Sequence, residues 1–199
     1  MMQNTLVRWI SLCAVLFALT GCSALTAQNP SGSLKPVNAV ADGEDRGVML
    51  KGADVVAYFT QNQYVQGTPQ FKSTYEGVTF RFSSAANKAL FDKEPMKYQP
   101  QYGGYCADGL VYGIPWGGDA DTWRMVDGKL YIFGGAGSRD AWMLDEPRNL
   151  VLADKYWKEE VEGSNSFWQR SKRLVFKVPH YKSGAELAAM VAEAKAKKQ

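Results

Sequence analysis

FKSTYEGVTFRFSSAANKALF, residues 71–91, combines a predicted β-hairpin with a predicted helix and decides the fold class. Glu76-Gly77 is a tight-turn signal, and the runs Phe71–Tyr75 and Val78–Phe82 on either side of it predict two antiparallel strands. Either of the two serines that follow can cap a helix with an apolar face. A hairpin followed directly by a helix indicates a mixed α+β fold.

Similar elements recur farther along the chain. Asp127-Gly128 is the strongest short hairpin signal in the sequence, and it predicts a second hairpin from Trp123–Val126 and Lys129–Phe133. Helical spacing of apolar residues predicts a helix over Asp145–Val161. The run Arg173–Val178 that comes next predicts a strand.

The C-terminal residues predict a last helix. Ser183 and Glu186 form a capping-box pattern at the start of an Ala-rich segment. Because no strand–helix–strand alternation is present, a parallel α/β sheet is not predicted. The sequence therefore predicts a single small α+β domain with antiparallel β-hairpins and packed helices, plus a C-terminal helical extension.

The N-terminus predicts export. A weakly basic start precedes the apolar run Trp9–Leu19, which is shorter than the roughly 20 residues of a spanning helix. Leu19-Thr20-Gly21-Cys22 resembles the lipobox of bacterial lipoproteins, in which the Cys thiol takes a diacylglycerol. We therefore predict that residues 1–21 are a signal peptide and that Cys22 is lipidated. The alternatives are an ordinary secretory signal and a buried apolar helix in which Cys22 is incidental.

Four segments follow from these boundaries. Residues 22–46 are rich in small and polar side chains and predict a flexible tether behind the signal peptide. Residues 47–161 form the predicted domain, and residues 162–199 a basic C-terminal extension. The acyl chains would hold the protein on a membrane of the cell envelope. Ser23 after the lipidated residue favours the outer membrane, facing the periplasm, in a Gram-negative cell.

The charge of the chain is concentrated near its C-terminus. The formal net charge is +3, and the segment from Trp168 to Gln199 has eight Lys or Arg residues against two Glu. This segment predicts contact with an anionic surface or with another envelope protein, and a solvated helix face is the alternative. Export argues against nucleic acid as a partner.

Five segments in their order resemble an exported YHS-domain protein, and together they lie within about Val48–Trp157. The segments are Leu50–Phe59, Tyr75–Ser84, Glu94–Tyr98, Gln101–Ala107 and Val126–Tyr131. The resemblance implies a small α+β domain and raises metal binding as a family theme. In metal-binding relatives two Cys residues lie between the strand and the helix, and Ser83 and Asn87 stand at the matching positions. Neither residue is a good ligand for a soft metal.

Cys106 is the candidate functional thiol. Cys13 would be removed with the signal peptide and Cys22 acylated, so Cys106 has no intramolecular disulfide partner. A thiolate suits Cu(I), with Met96 or Met125 as a thioether co-ligand, which makes copper the first candidate metal. Alternatively, Cys106 is a redox or nucleophilic thiol, for which His180 is the only histidine base, or a small hydrophobe in the core.

Aromatic residues near Cys106 are candidates for a ligand pocket. They are Tyr105, Tyr112, Trp116 and Trp123, and the alternative is that they close the core of a small domain. No catalytic motif is present. The sequence therefore favours a non-enzymatic envelope lipoprotein that binds a metal ion or a small ligand near Cys106, with a structural or interaction lipoprotein as the second hypothesis.

Overall fold

The computed structural model describes residues 37–197, which form a four-stranded sheet, a two-stranded sheet and several helices. The strands are β1 (Ala39–Asp42), β2 (Asp45–Met49), β3 (Thr68–Tyr75), β4 (Val78–Phe82), β5 (Asp119–Val126) and β6 (Lys129–Phe133). The helices are α1 (Ala57–Thr60), α2 (Ala85–Lys93), α3 (Pro95–Tyr98), α4 (Ala107–Leu110), α5 (Ala136–Trp142), α6 (Glu146–Tyr156), α7 (Ser166–Val175) and α8 (Gly184–Ala196). The predicted α+β fold class is confirmed.

The larger sheet has the strand order β1-β2-β4-β3. Its outer pairs are antiparallel, whereas β2 runs parallel to β4 with Val48 opposite Thr79. The smaller sheet is the antiparallel pair β5 and β6. Both predicted hairpins are confirmed, since β3 and β4 form one and β5 and β6 the other.

The two hairpin turns have the backbone that their sequences predict. Glu76 and Gly77 have φ values of 48° and 78°, and Asp127 and Gly128 have values of 49° and 71°. Two successive residues with positive φ match the twist of the flanking strands, and Gly adopts this conformation without steric cost. These turns set the strand register of the two hairpins, with Tyr75 opposite Val78 in the first and Val126 opposite Lys129 in the second.

The helices begin where polar side chains cap them. The Ser84 hydroxyl accepts a hydrogen bond from the Asn87 N–H at 3.1 Å, which starts α2. The predicted helix over Asp145–Val161 is confirmed as α6, which continues into a single π-helical turn at Trp157–Val161. The predicted C-terminal helix is confirmed as α8, and both hydrogen bonds of the Ser183–Glu186 capping box are formed.

Two apolar clusters form the core. The first lies against the four-stranded sheet, where Phe91 of α2 packs on Phe80 and Phe82 with ring centroids 4.6 and 5.1 Å apart. The second surrounds Trp142 and includes Cys106 and Phe133. None of the helices between residues 37 and 197 combines the length and the apolar content that crossing a bilayer requires.

The predicted strand over Arg173–Val178 is wrong, because most of this stretch lies in α7 or just after it. The Asn165 side chain accepts hydrogen bonds from the Phe167 and Trp168 N–H groups at 3.0 and 3.3 Å and starts the helix. The helix is then held from its buried side, where the Gln169 amide donates to the Gly113 carbonyl at 3.0 Å. These interactions outweigh the strand preference of Leu174, Val175 and Phe176.

The predicted tether over residues 22–46 is too long at its C-terminal end, because β1 and the residues before it are part of the fold. Val37 and Ala39 are buried in the first cluster, and β1 pairs with β2. Asn38 donates from its backbone to the Gly103 carbonyl at 2.8 Å and from its side chain to the carbonyls of Gly104 and Gly118 at 3.0 and 3.1 Å. The earlier part of the predicted tether, the signal peptide and Cys22 lie outside the described residues.

The C-terminal extension packs on the domain. Arg173 forms an ion pair with Glu160, which follows α6, and Val178 is buried in the second cluster. The His180 ring lies 5.8 Å from the Tyr112 ring, and its Nε2 is 2.8 Å from the Val111 carbonyl oxygen. The extension is therefore positioned over the segment that contains Cys106.

Candidate functional site

A cavity of about 270 Å³ lies beside Cys106, between the domain and its C-terminal extension. We call it the Cys106 cavity. Its domain side is formed mainly by α4, the segment after α4 and the start of α5, and its other side by the residues that lead into α8. The side chains that line it include Cys106, Asp108, Tyr112, Trp116, Ser138 and Leu187.

Backbone contacts fix Cys106 at the start of α4. Its N–H donates to the Trp116 carbonyl at 2.9 Å, and it forms a parallel bridge with Ile132 of β6. Gly109 is needed for this arrangement, because a Cβ atom there would lie 2.6 Å from the Ile114 carbonyl oxygen. The close chain reversal after Cys106 therefore depends on glycine.

The Cys106 thiol is held in its neutral form. Only 4 % of the residue is exposed. Burial raises the pKa of the Cys106 thiol, and the N–H groups of Gly109 and Gly134 and the Ser138 hydroxyl oppose that rise. A neutral thiol is a poor nucleophile and a poor metal ligand, so this environment does not activate Cys106.

Asp108 is the most unusual group in the Cys106 cavity. It is 7 % exposed, yet no side chain or N–H group among residues 37–197 donates a hydrogen bond to its carboxylate. Burial raises the pKa of the Asp108 carboxyl to about 7. Its oxygens are not fully shielded from solvent. A mostly buried carboxylate without a donor is available to a ligand that donates hydrogen bonds.

Asp108 also faces a second cavity of about 570 Å³ between α5 and α8. The two cavities share four lining residues, Asp108, Ser138, Gly184 and Leu187, so they adjoin. Helix α8 covers both cavities. Leu187 and Val191 of this helix are half-buried, and Lys195 forms an ion pair with Asp140 at 2.6 Å. No residue of α8 is fully buried.

The structure brings two of the four predicted pocket aromatics together. Tyr112 and Trp116 both line the Cys106 cavity. Tyr105 is fully buried, and its hydroxyl donates to the Val37 carbonyl at 3.0 Å. Trp123 packs edge-on against Tyr58 with ring centroids 5.1 Å apart, so it belongs to the first cluster.

The predicted copper ligands are not brought together. Met96 lies on α3 and is 68 % exposed, whereas Met125 packs on the first cluster, and neither residue lines the Cys106 cavity. Among the described residues, no group of three or more His, Cys, Asp or Glu side chains is arranged to hold a metal ion. Cys106 with one nearby carboxyl does not supply the soft ligand set that Cu(I) requires.

Ser83 and Asn87, at the positions of the relatives' metal ligands, instead bind a buried carboxylate. Asp54 is fully buried, and its Oδ2 accepts from the Ser83 N–H at 2.8 Å, the Ser83 hydroxyl at 2.7 Å and the Asn87 amide at 2.7 Å. Its Oδ1 accepts from the N–H groups of Val56 and Ala57 at 3.0 and 3.3 Å. Five donors satisfy this carboxylate, so these residues do not fit a metal.

His180 does not act on Cys106. Its Nε2 is already 2.8 Å from the Val111 carbonyl oxygen, its ring stacks on Tyr112, and it is not part of the cavity lining. Sequence reasoning identified Cys106, Tyr112 and Trp116 but missed Asp108 and Ser138. One signal for Asp108 was present, because it is the single charged residue in the otherwise apolar and glycine-containing stretch from Tyr105 to Ile114.

Comparison with known proteins identifies one domain. Residues 56–102 match the model of the YHS domain family, which confirms the predicted resemblance over those residues. No curated protein and no solved structure matches the chain significantly. The matched segment ends before Cys106, so the Cys106 cavity is built entirely from residues that follow the YHS match.

Proposed function

We propose that this chain, which contains a YHS domain at residues 56–102, is a lipid-anchored protein of the bacterial cell envelope that binds a small organic molecule in the Cys106 cavity without catalysing a reaction. The observation that carries the proposal is the Asp108 carboxyl. It is buried, faces both adjoining cavities and has no donor among residues 37–197. A ligand with N–H groups or a positive charge would supply the missing partner.

The walls of the cavity support the same ligand class. Tyr112 and Trp116 present aromatic surface near the carboxyl, and aromatic faces attract organic cations as well as flat apolar groups. Leu187 of α8 adds apolar surface opposite them. A few polar groups within a mostly apolar cavity are typical of small-molecule sites.

The binding proposal predicts selectivity for amines. We expect putrescine, ethanolamine or arginine to bind the full chain in isothermal titration, and acetate and glucose to bind much more weakly. In the Asp108→Asn variant the amine affinity should fall by about tenfold or more, because the anionic acceptor is lost. The matched control is Asp121→Asn, which changes an exposed carboxylate outside the cavity and should leave the affinity unchanged. Amine binding that survives Asp108→Asn would contradict the assignment, as would the absence of binding by all three amines.

Lipid anchoring has its own test. We expect the intact mass of the protein purified from bacterial membranes to start at Cys22 and to include a diacylglyceryl group, with or without a further acyl chain. The Cys22→Ser variant should lack this added mass and leave the membrane fraction. A variant that kept the acylated mass would contradict lipidation at Cys22 but would not affect the binding proposal.

A further inference from the structure

Helix α7 and the residue after it expose an unusual amount of apolar surface. Trp168, Leu174, Val175 and Phe176 are between 51 % and 73 % exposed, and we call these four residues the α7 patch. Trp168 and Val175 are two helical turns apart and therefore lie on the same side of α7. Several exposed apolar side chains on one segment of a folded protein make that segment a candidate interaction surface.

The patch faces outward because the opposite side of α7 is fixed to the domain. Ser166 and Gln169 are buried, and the Gln169 amide donates to the Gly113 carbonyl at 3.0 Å and to Glu160 at 3.0 Å. The Arg173 guanidinium holds the same glutamate. Rotating α7 to bury the patch would break these contacts. The exposed apolar side chains are thus a property of the folded domain.

The charge around the patch is positive. The sequence from Gly163 to Ala185 contains five Lys or Arg residues and no Asp or Glu. Lys172 lies between Trp168 and Val175 on the same side of the helix, and Lys177 directly follows the patch. Glu160 is the acidic residue that pairs with Lys172 and Arg173, which leaves the segment with a net positive charge. Apolar and aromatic side chains with flanking cations are characteristic of helices that lie in the interface of anionic membranes.

The start of the described chain lies at the same face of the domain. Asn38 and Val40 line a cavity of about 450 Å³ together with Phe167, Arg170 and Leu174 of α7. The chain before Val37 therefore joins the domain beside the α7 patch. Fourteen residues separate Cys22 from Val37, and a chain of this length spans at most about 50 Å when extended. A lipid at Cys22 would keep the patch within reach of the bilayer surface.

We propose that the α7 patch and its flanking cations dock the domain on the surface of a bilayer that contains anionic phospholipid. Trp168, Val175 and Phe176 enter the interface between headgroups and acyl chains, and Lys172 and Lys177 contact lipid phosphates. This surface is separate from the Cys106 cavity, so the inference goes beyond the proposed ligand binding. It fixes the orientation of the domain, whereas a lipid anchor alone leaves the domain free to rotate.

Tryptophan quenching by lipids with brominated acyl chains tests the docking. The full chain is reconstituted in phosphatidylcholine vesicles with or without phosphatidylglycerol, and the contribution of Trp168 is obtained by subtracting the Trp168→Phe variant. We expect this contribution to be quenched on the vesicles that contain phosphatidylglycerol and to recover at high salt. The contribution of Trp123, obtained in the same way from Trp123→Phe, should stay unquenched because Trp123 packs on Tyr58 inside the domain.

A charge reversal provides the second measurement. We expect Lys172→Glu combined with Lys177→Glu to weaken the Trp168 quenching on anionic vesicles by about tenfold in effective binding constant. The matched control is Lys93→Glu combined with Lys129→Glu, two exposed lysines away from α7, and it should retain the quenching. If Trp168 is unquenched on both kinds of vesicle, the patch faces a protein partner, a second copy or residues 1–36, and the proposal is overturned. Equal quenching on neutral vesicles would also overturn it.

Discussion

The Asp108→Asn variant is expected to be more stable than the wild-type protein at pH 8 by about 4 kcal/mol, and nearly equal to it at pH 4. The reason is the pKa of the Asp108 carboxyl, which burial raises from an ordinary value of 3.8 to about 7. Between these two values the native protein keeps a proton that the unfolded chain has already released. Stability from this group is therefore lost as the pH rises from about 4 to 7, and the loss is complete above that range.

Asparagine has the shape of aspartate and no titrating proton, so the variant does not undergo this loss. Urea unfolding of both proteins between pH 4 and pH 8, followed by tryptophan fluorescence, measures the difference. The Asp121→Asn variant is the control, because its exposed carboxylate should not change the dependence on pH. If the two stability curves were parallel, Asp108 would be ionised and solvated in the native protein. A residue that destabilises the fold at neutral pH is the kind of residue that a binding function explains.

The Asp54→Ala variant should lose about 4 kcal/mol of unfolding free energy, the largest destabilisation that we predict. Asp54 is fully buried and accepts five hydrogen bonds, from Ser83 and Asn87 and from two N–H groups in and just before α1. Alanine leaves these donors buried without an acceptor. The same carboxylate joins the start of α1 to the start of α2, so the loss affects the packing of both.

Denaturant unfolding of the full chain measures this loss, and a double-mutant cycle identifies its source. Ser83→Ala should cost about 1 kcal/mol in the wild-type background and much less when Asp54 is already alanine. Asp121→Ala serves as the exposed control, with an expected change within about 0.5 kcal/mol. Additive effects of Asp54→Ala and Ser83→Ala would show that the two side chains do not interact. A small effect of Asp54→Ala would show that water replaces the carboxylate.

The parts of the fold that were predictable from sequence are those that local chemistry decides. Glu76-Gly77 and Asp127-Gly128 can form tight turns wherever they occur, so both hairpins could be placed from a few residues. The end of α7 was predicted as part of a strand over Arg173–Val178. The contacts that hold the helix are made by Gln169 and Arg173 with Gly113 and Glu160, which are not neighbours in the sequence. The predicted tether included β1, because this strand has only four residues and lacks a strong apolar pattern. Its pairing with β2 makes it part of the fold.

The candidate site was predictable only in part, for a related reason. Cys106, Tyr112 and Trp116 are recognisable by residue type and by their common neighbourhood in the chain. Burial of Asp108 depends on the C-terminal extension, which the sequence does not place over α4. The copper prediction combined Cys106 with two methionines that are near in sequence, yet the fold puts Met96 on the surface and Met125 in the other cluster.

A mechanical load applied through the N-terminal segment would be transmitted to the domain at Asn38. Tension along the segment before Val37 reaches the domain at Asn38 and β1, before any other described element. Three hydrogen bonds from Asn38 to the carbonyls of Gly103, Gly104 and Gly118 connect this point to the two ends of the segment that carries Cys106 and Asp108. Pulling Asn38 away from these three carbonyls would release that segment at both ends. A drag force on a domain held by its N-terminus would thus act first on the frame of the Cys106 cavity.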